Sequence, residues 1–539
     1  MGEVKTRTKA SSSVSVPPLC IGLSDPGMTP ILRAGLGGLA ASLRAILLEE
    51  EPAARWPAPV ALGPGSAVVE TRTITLQWGA KPPEETLSVL FEKSLRTSKR
   101  TGLIEFPGTW ASGPPPQPLA VQLQDAVKKT FLQHGQSTTK AAGRKTVTYE
   151  VDGKGIPVAY QPYEGFAHQG AWEKVAAALK GKRAELAGWA YPGAAQRHIG
   201  IPRTKWEYSA AEGLAACFAI VGCLSFSVPS TRGGAIVVPD PEDLVRFGEA
   251  RRRLSPTRPE QCSVAGIGDA VLAVSLTLRA ESIARRSAGI SGATGVLLES
   301  TPWASKQKCR SSIVDFAALP EILLDLYEKV SAVLPARVRV SPAKGESQGG
   351  SAKEEGIYVT TSALRAFVTE NLARGHRWFE GFATAKAGAK RDLFVHYFRA
   401  KKGLGALYPE EKEGLVVMVE CLEETEKAFV RSVHLAIRSR FGAIASETSG
   451  SPATMKNRFG SERDKWRLAF SGAKTHEQIR ASLADLWSRG GSNAELKENW
   501  EQILPLLRSE RWQEARDLAL VGLASYRGQR PEETEECDA

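Results

Sequence analysis

Between residues 341 and 356 the chain reads Ser-Pro-Ala-Lys-Gly-Glu-Ser-Gln-Gly-Gly-Ser-Ala-Lys-Glu-Glu-Gly, sixteen residues with a single Pro and no large apolar side chain. Such a stretch cannot bury itself and reads as a linker. The patterning differs on its two sides, so it constrains the fold more than any other segment. Before it, short alternating runs mix with helical periodicity. After it, apolar residues recur at three- and four-residue spacing and no strand alternation appears beyond about residue 362. We therefore expect an α+β protein, with a mixed α/β domain over 19–340 and an all-α helical bundle over 357–530. Residues 1–18 form a basic, Ser-rich lead, and 531–539 form an acidic tail.

Within the first part, Leu19–Leu23 reads as a buried strand, and Thr29-Pro30 as a helix start. The helix would run to about Leu48 with Leu32, Leu36, Leu39 and Leu43 on one face. Gly35, Gly37 and Gly38 weaken it, which implies close packing on another backbone. Thr71–Trp78 and Gly102–Phe106 read as strands, and Glu84–Arg96 and Ala120–Leu132 as helices. Lys145–Val151 turns at Asp152-Gly153 into Ile156–Tyr160, a hairpin signature. Leu214–Val228, the longest apolar run noted, is a buried helix entering a strand, too short for the ~18 residues of a membrane span. In the second part Leu415, Val419, Leu422, Phe429, Val433 and Ile437 suggest one long helix ended by Gly442. Thr475-x-x-Gln478 reads as a capping box.

Catalytic signatures are sparse. There is no phosphate-binding P-loop, zinc-protease H-E-x-x-H or EF-hand loop. Gly345-Glu-Ser347-Gln-Gly349 matches the nucleophile-elbow pattern but lies in the linker, where nothing holds a serine upright. Gly289-x-x-Gly292-x-x-Gly295 and Gly266-Ile-Gly268 read as flexible turns. Glu420, Glu423, Glu424 and Glu426 read as a solvated helix face. Seven scattered cysteines show no metal or redox spacing, which fits a reduced cytoplasm. No enzyme, cofactor or metal centre is expected.

Charge points elsewhere. The net charge is +11, and residues 532–538 hold five acidic side chains. Residues 1–356 hold 42 Lys plus Arg against 33 Asp plus Glu, and residues 357–530 hold 28 against 21, so both parts are basic. A basic body favours phosphate-rich partners. Pro302-Trp303-Ala-Ser305-Lys306-Gln307-Lys308-Cys-Arg310 is the densest candidate loop. It carries cations for phosphates and an amide for base edges. Trp189-Ala-Tyr191-Pro192-Gly193 leads to Arg197 and His198, which read either as a nucleic-acid loop or as solvated charges beside a packed aromatic turn. Arg96, Lys99 and Arg100, then Lys140, Arg144 and Lys145, and Arg251-Arg252-Arg253 are further basic runs that also fit solvated surface. In the bundle the candidates are Lys401, Lys402, Lys456, Arg458, Arg463, Lys465 and Arg467, the last group placed where a loop enters a helix around Trp466, though a solvated helix face reads the same way.

Several of these segments, in order, resemble one family. Leu19-Cys-Ile-Gly-Leu-Ser-Asp-Pro, followed by Ala34-Gly-Leu-Gly-Gly-Leu-Ala-Ala-Ser-Leu-Arg44, is similar to the start of the large subunit of type I CRISPR interference complexes (Cascade). The branch is the one that includes the fruiting-body developmental protein T. Gly188-Trp-Ala-Tyr-Pro-Gly193 with Arg197-His198, Phe218-Ala-Ile-Val-Gly-Cys-Leu224 and Pro302-Trp-Ala-Ser-Lys-Gln-Lys308 resemble internal segments of the same branch. The lead and the acidic tail are not features of that resemblance.

The resemblance implies a non-catalytic subunit that sits near the 5′ handle of the crRNA and recognises the motif flanking a double-stranded DNA target. It also implies help in strand separation, with the guide reading sequence by pairing. Implied partners are the crRNA, target duplex and displaced single strand, the other Cascade subunits, and a helicase–nuclease effector or a transposition adaptor; no membrane is implied. The helical domain would resemble the separate small subunit, and translation from Met418 would yield the last 122 residues alone. The competing reading from the residues is a protein-interaction scaffold whose helical domain docks partners without touching nucleic acid.

Overall fold

A computed structural model describes residues 16–133, 137–186, 207–283, 288–299, 310–316, 320–341, 356–385, 393, 409–448 and 451–527. Arg197, His198, Lys306, Gln307, Lys308, Lys401, Lys402 and the Ser347 segment lie outside these residues; Arg310 opens a described strand. Two compact units are present. The first takes residues within 1–263, 277–318 and 338–358, the second those within 264–276, 319–337 and 359–539. The chain thus divides at several points rather than at the single linker expected over 341–356, because residues 264–276 and 319–337 pack into the second core.

The first unit is built on two helices that nearly touch backbones. The Pro30–Glu50 helix lies against the Ala210–Gly222 helix. A Cβ on Gly35 would stand 2.0 Å from the Ala215 carbonyl oxygen, one on Gly38 2.3 Å from that of Phe218, and one on Gly222 1.8 Å from that of Ala34. No side chain fits those gaps, which is why the intrinsic cost of glycine in a helix is borne here. The Pro30–Glu50 helix is also long and apolar enough to cross a membrane, which the sequence reading missed; 78% of its most apolar window is buried in the protein, so it is a core helix. Thr29 makes no side-chain capping bond, leaving Pro30 as the start signal. Ser209 does cap its helix: its hydroxyl accepts from the Glu212 N–H, and the Glu212 carboxylate accepts from the Ser209 N–H at 2.8 Å.

An antiparallel sheet in the order Leu19–Gly22, Thr73–Gln77, Gly65–Val69, Val60–Leu62 joins this core. Ile74 and Leu76 are fully buried while Thr73 and Thr75 are not, the period-two pattern expected of a half-buried strand. A second antiparallel sheet runs Leu224–Val228, Gly233–Pro241, Ile290–Glu299, Arg310–Phe316. It overturns the reading of Gly289–Gly295 as a turn: Gly292 and Gly295 pair with Asp240 and Val237 inside the sheet, and only Gly289 has a positive φ, +63°. Lys145–Val151 and Lys154–Tyr160 form the expected hairpin, with φ of 51° at Asp152 and 74° at Gly153.

After the Gly356–Thr360 strand all described elements are helical. The single long helix expected from Leu415 to Gly442 is two helices, Pro409–Val419 and Glu424–Glu447, and the second continues past Gly442. Their apolar positions stay in phase across the break, so periodicity alone hides it. Of the acidic run read as a solvated face, Glu420, Glu423 and Glu424 are exposed as expected, and the run also starts the second helix. Glu423 sits at its N-cap, and the Glu426 carboxylate accepts from the Glu423 N–H at 3.1 Å. Glu426 is buried and paired with Arg377.

Buried polar side chains hold the second unit together. Asp269, fully buried, accepts from Arg365 Nη2 at 2.8 Å and Nε at 3.0 Å and from the Tyr327 hydroxyl at 2.9 Å. Asp517 accepts from the backbone N–H groups of Gly381 (2.7 Å) and Ala383 (3.1 Å). His434 Nε2 lies 2.9 Å from the Gly522 carbonyl and 3.0 Å from the Ser525 hydroxyl.

Candidate nucleic-acid interface

Two basic runs, Lys99-Arg100 and Lys140 to Lys145, are brought to one place. Residues 98–102 form a tight loop: Ser98 N–H donates to the Leu103 carbonyl (2.8 Å), and Gly102 N–H donates to that of Ser98 (2.7 Å). Gly102 takes a φ of +70°, so the loop needs glycine at its exit. The loop is tied to the strand that follows the hairpin. Tyr163 N–H donates to the Gly102 carbonyl at 2.7 Å, and the Tyr160 hydroxyl donates to that of Thr101 at 3.0 Å. Lys140 sits opposite Tyr163 on the neighbouring strand, and Lys145 Nζ donates to the Arg100 carbonyl at 2.6 Å. The result is a patch holding Lys99, Arg100, Lys140, Arg144 and Lys145, all exposed. None of them is in an ion pair among the described residues.

Unpaired exposed cations on a rigid loop can neutralise phosphates at little desolvation cost, since their charges remain hydrated until a strand arrives. Arg96 behaves differently. Its guanidinium holds both oxygens of Glu49, and that hydrogen bond draws the Glu49 carboxyl below its usual range. The structure therefore places Arg96 beside the patch as a bracket between the 30–50 and 83–94 helices.

The bundle candidates are arranged otherwise. Arg463, Lys465 and Arg467 lie within the Pro452–Gly472 helix and not at a loop entry, and Trp466 between them is 1% exposed. Its ring is therefore closed to a base. Arg467 is buried and donates to Asp464 at 3.0 Å; Lys465 faces Asp485 at 3.4 Å. Burial lowers the pKa of Arg463, with Asp464 opposing.

The Arg251–Arg253 run, read as solvated surface, is internal support. Arg251 is 5% exposed and donates to the carbonyls of Val221 (2.7 Å) and Cys223 (2.8 Å). It thereby satisfies oxygens that the end of the Ala210–Gly222 helix leaves without partners. Arg252 donates to the Ala111 carbonyl, and Arg253 pairs with Glu281. Helix ends need donors, and a sequence does not say which cation will be folded back to supply them.

Comparison with known proteins places this arrangement in a family. Residues 20–217 match the DevT N-terminal domain and residues 418–539 the DevT C-terminal domain. A Myxococcus xanthus (strain DK1622) protein described as CRISPR-associated protein Cas8a1/Csx13 is 51% identical over 527 residues, covering 97% of this chain and 91% of that one. The chain belongs to the DevT family of Cas8-like large subunits. The basic patch falls inside the region matched by the DevT N-terminal domain, and the helices from Glu424 onward fall inside the DevT C-terminal domain. That C-terminal match reaches residue 539, so the acidic tail, set apart in the sequence reading, belongs to the matched region.

Proposed function

We propose that this chain is the non-catalytic large subunit of a crRNA-guided type I complex. In this reading it contacts the 5′ handle region of the guide and the duplex carrying the flanking motif. It also assists strand separation and engages a downstream effector, either a helicase–nuclease or transposition proteins, alongside the other Cascade subunits. The observation that carries the nucleic-acid part is the convergence of Lys99 and Arg100 with Lys140, Arg144 and Lys145. Residues separated by some forty positions are held on one rigid loop system with no carboxylate answering them. Arg197, His198, Lys306, Gln307, Lys308, Arg310, Lys401 and Lys402 are proposed as further contacts on their sequence chemistry. Arg463, half-buried, and Arg467, buried, are proposed only as the support of any such surface.

The test is salt dependence. The full chain, or the complex reconstituted with crRNA, should lose affinity for duplex DNA along a log–log salt slope of roughly −0.9 per phosphate neutralised. Reversing Lys99, Arg100, Lys140 and Arg144 to Glu should flatten that slope. An unchanged slope and affinity would remove the patch from the interface.

A second, compatible role has its own observation. The second unit exposes Ile322 (74%), Leu468 (59%), Leu504 (44%) and Trp500 (42%), apolar side chains suited to a protein partner. Met418 is the second-last residue of its helix, and the next helix starts at Glu424. A product begun there would keep every helix from Glu424 onward, and intact-mass measurement of the expressed protein would reveal it.

A further inference from the structure

A cavity of about 130 Å³ opens in the first unit against the basic patch, and Ser98, Arg100 and Thr101 of the patch loop contribute to its wall. The rest of the lining is mainly apolar, led by Phe106, Trp110, Pro115 and Leu123. Polar side chains interrupt it: Thr109, Gln117, Gln124 and Ser225 are on the wall, and the charged groups besides Arg100 are Arg251 and Glu105. Arg251 and Ser255 line one part, and Glu105 another.

Arg251 donates to the Val221 carbonyl, to the Cys223 carbonyl and to the Ser255 hydroxyl (2.8 Å). A guanidinium has five N–H groups, so two have no acceptor among the described residues. No carboxylate lies within ion-pair distance of it among the described residues. Glu105 likewise has no ion pair. The pocket thus offers spare donors and a spare acceptor set in an apolar enclosure.

Size and polarity narrow the occupant. An engineered cavity of about 150 Å³ takes up benzene, so this one has room for a single aromatic ring. A phosphate is a poor fit, because Glu105 would repel it and the apolar walls would strip its hydration. A planar heterocycle fits: its faces meet Phe106, Trp110 and Pro115, its edge acceptors suit Arg251, and a ring amine suits Glu105. Arg100 on the wall and the neighbouring patch cations suit the sugar-phosphate chain that such a ring would be attached to. The polarity order from patch to pocket, cationic and then apolar with a donor and acceptor, is that of one nucleotide from backbone to base.

We propose that the pocket receives a single unpaired base turned out of a nucleic acid whose backbone lies on the Lys99–Lys145 patch. This deepens the nucleic-acid reading above and rests on it. The pocket would make binding sensitive to one flipped nucleotide, whereas the patch alone sees only charge.

The experiment uses the full chain and hairpins with a one-nucleotide bulge, made as DNA and as RNA, each with either a normal base or an abasic residue in the bulge. The base-bearing bulge should bind about tenfold more tightly, the scale of base–aromatic stacking. Whichever of the DNA and RNA arms shows the difference identifies the strand type. Ala120→Phe, which fills the cavity and removes no charge, should erase the base-dependent ratio while leaving abasic binding and the salt slope as they are. Trp110→Ala should lower the ratio as well, with thermal unfolding confirming that both variants fold. Equal affinity for base and abasic bulges in the wild-type chain overturns the pocket and leaves the patch standing. Absence of binding to any hairpin overturns the nucleic-acid reading and the pocket with it.

Discussion

Residues 99–145 and residues 463–467 carry similar chemistry in sequence, cations beside aromatic rings, yet the fold uses them in opposite ways. In the first region a tight loop and a strand pair hold Lys99, Arg100, Lys140, Arg144 and Lys145 outward with no acidic neighbour paired to them. In the second, an uninterrupted helix turns Trp466 and Arg467 into the core and supplies Asp464, while the His476–Gly490 helix supplies Asp485 to Lys465. Local composition does not separate a binding surface from a structural brace. What separates them is whether the fold leaves the cations exposed without a carboxylate partner or buries and pairs them.

That contrast can be attacked at four places. The largest effect should come from a cation that braces. Arg251→Ala leaves the Val221 and Cys223 carbonyls buried without donors and should cost about 3 kcal/mol of stability in urea unfolding followed by tryptophan fluorescence. A loss under about 0.5 kcal/mol would return Arg251 to the surface class. Next, the quadruple reversal of Lys99, Arg100, Lys140 and Arg144 should weaken duplex binding at low salt by about a hundredfold, with the thermal midpoint held within a few degrees.

A third effect concerns a half-buried ring rather than a cation. Burial pushes the His434 pKa down to about 4, against 6.5 when free. The unfolded chain therefore binds the proton first as pH falls. The stabilising contribution of the neutral ring is complete above about pH 6.5 and is lost progressively as pH falls toward 4. With the ring only half-buried, a change on the order of 1–2 kcal/mol is expected, and His434→Gln should flatten the pH dependence of the urea midpoint across that window. The smallest effect belongs to Lys465→Ala. An exposed pair with Asp485 contributes little, so both stability and nucleic-acid affinity should stay within about twofold in equilibrium constant; a tenfold drop in affinity would move this helix into the interface.

Much of the architecture is readable where a residue type has one physical use. Gly35 and Gly38 in a helix signal close backbone contact, and Asp152-Gly153 signals a two-residue hairpin turn. Readings failed where two environments share a pattern. The apolar phase from Leu415 to Ile437 runs on through a break at 420–423. The glycines from 289 to 295 suit a turn as well as a strand, and Arg251–Arg253 looks the same whether solvated or folded back. The missed signal at the break was Glu423 with Glu426 three residues later. That spacing marks an N-cap even when the capping residue is acidic rather than Ser or Thr.

The amino-acid sequence by itself determined the two characters of the chain, mixed α/β and then helical, the glycine-lined helix contact and the family resemblance. These follow from local periodicity, backbone freedom and the order of short segments. Only the tertiary structure decided that residues 264–276 and 319–337 join the helical core, and which basic runs are free. It also decided that Arg100 and Arg251 line one cavity. Those outcomes depend on partners some twenty-eight to a hundred and fifty residues away in the chain, and a cation's fate is set by the acceptor that folding places next to it.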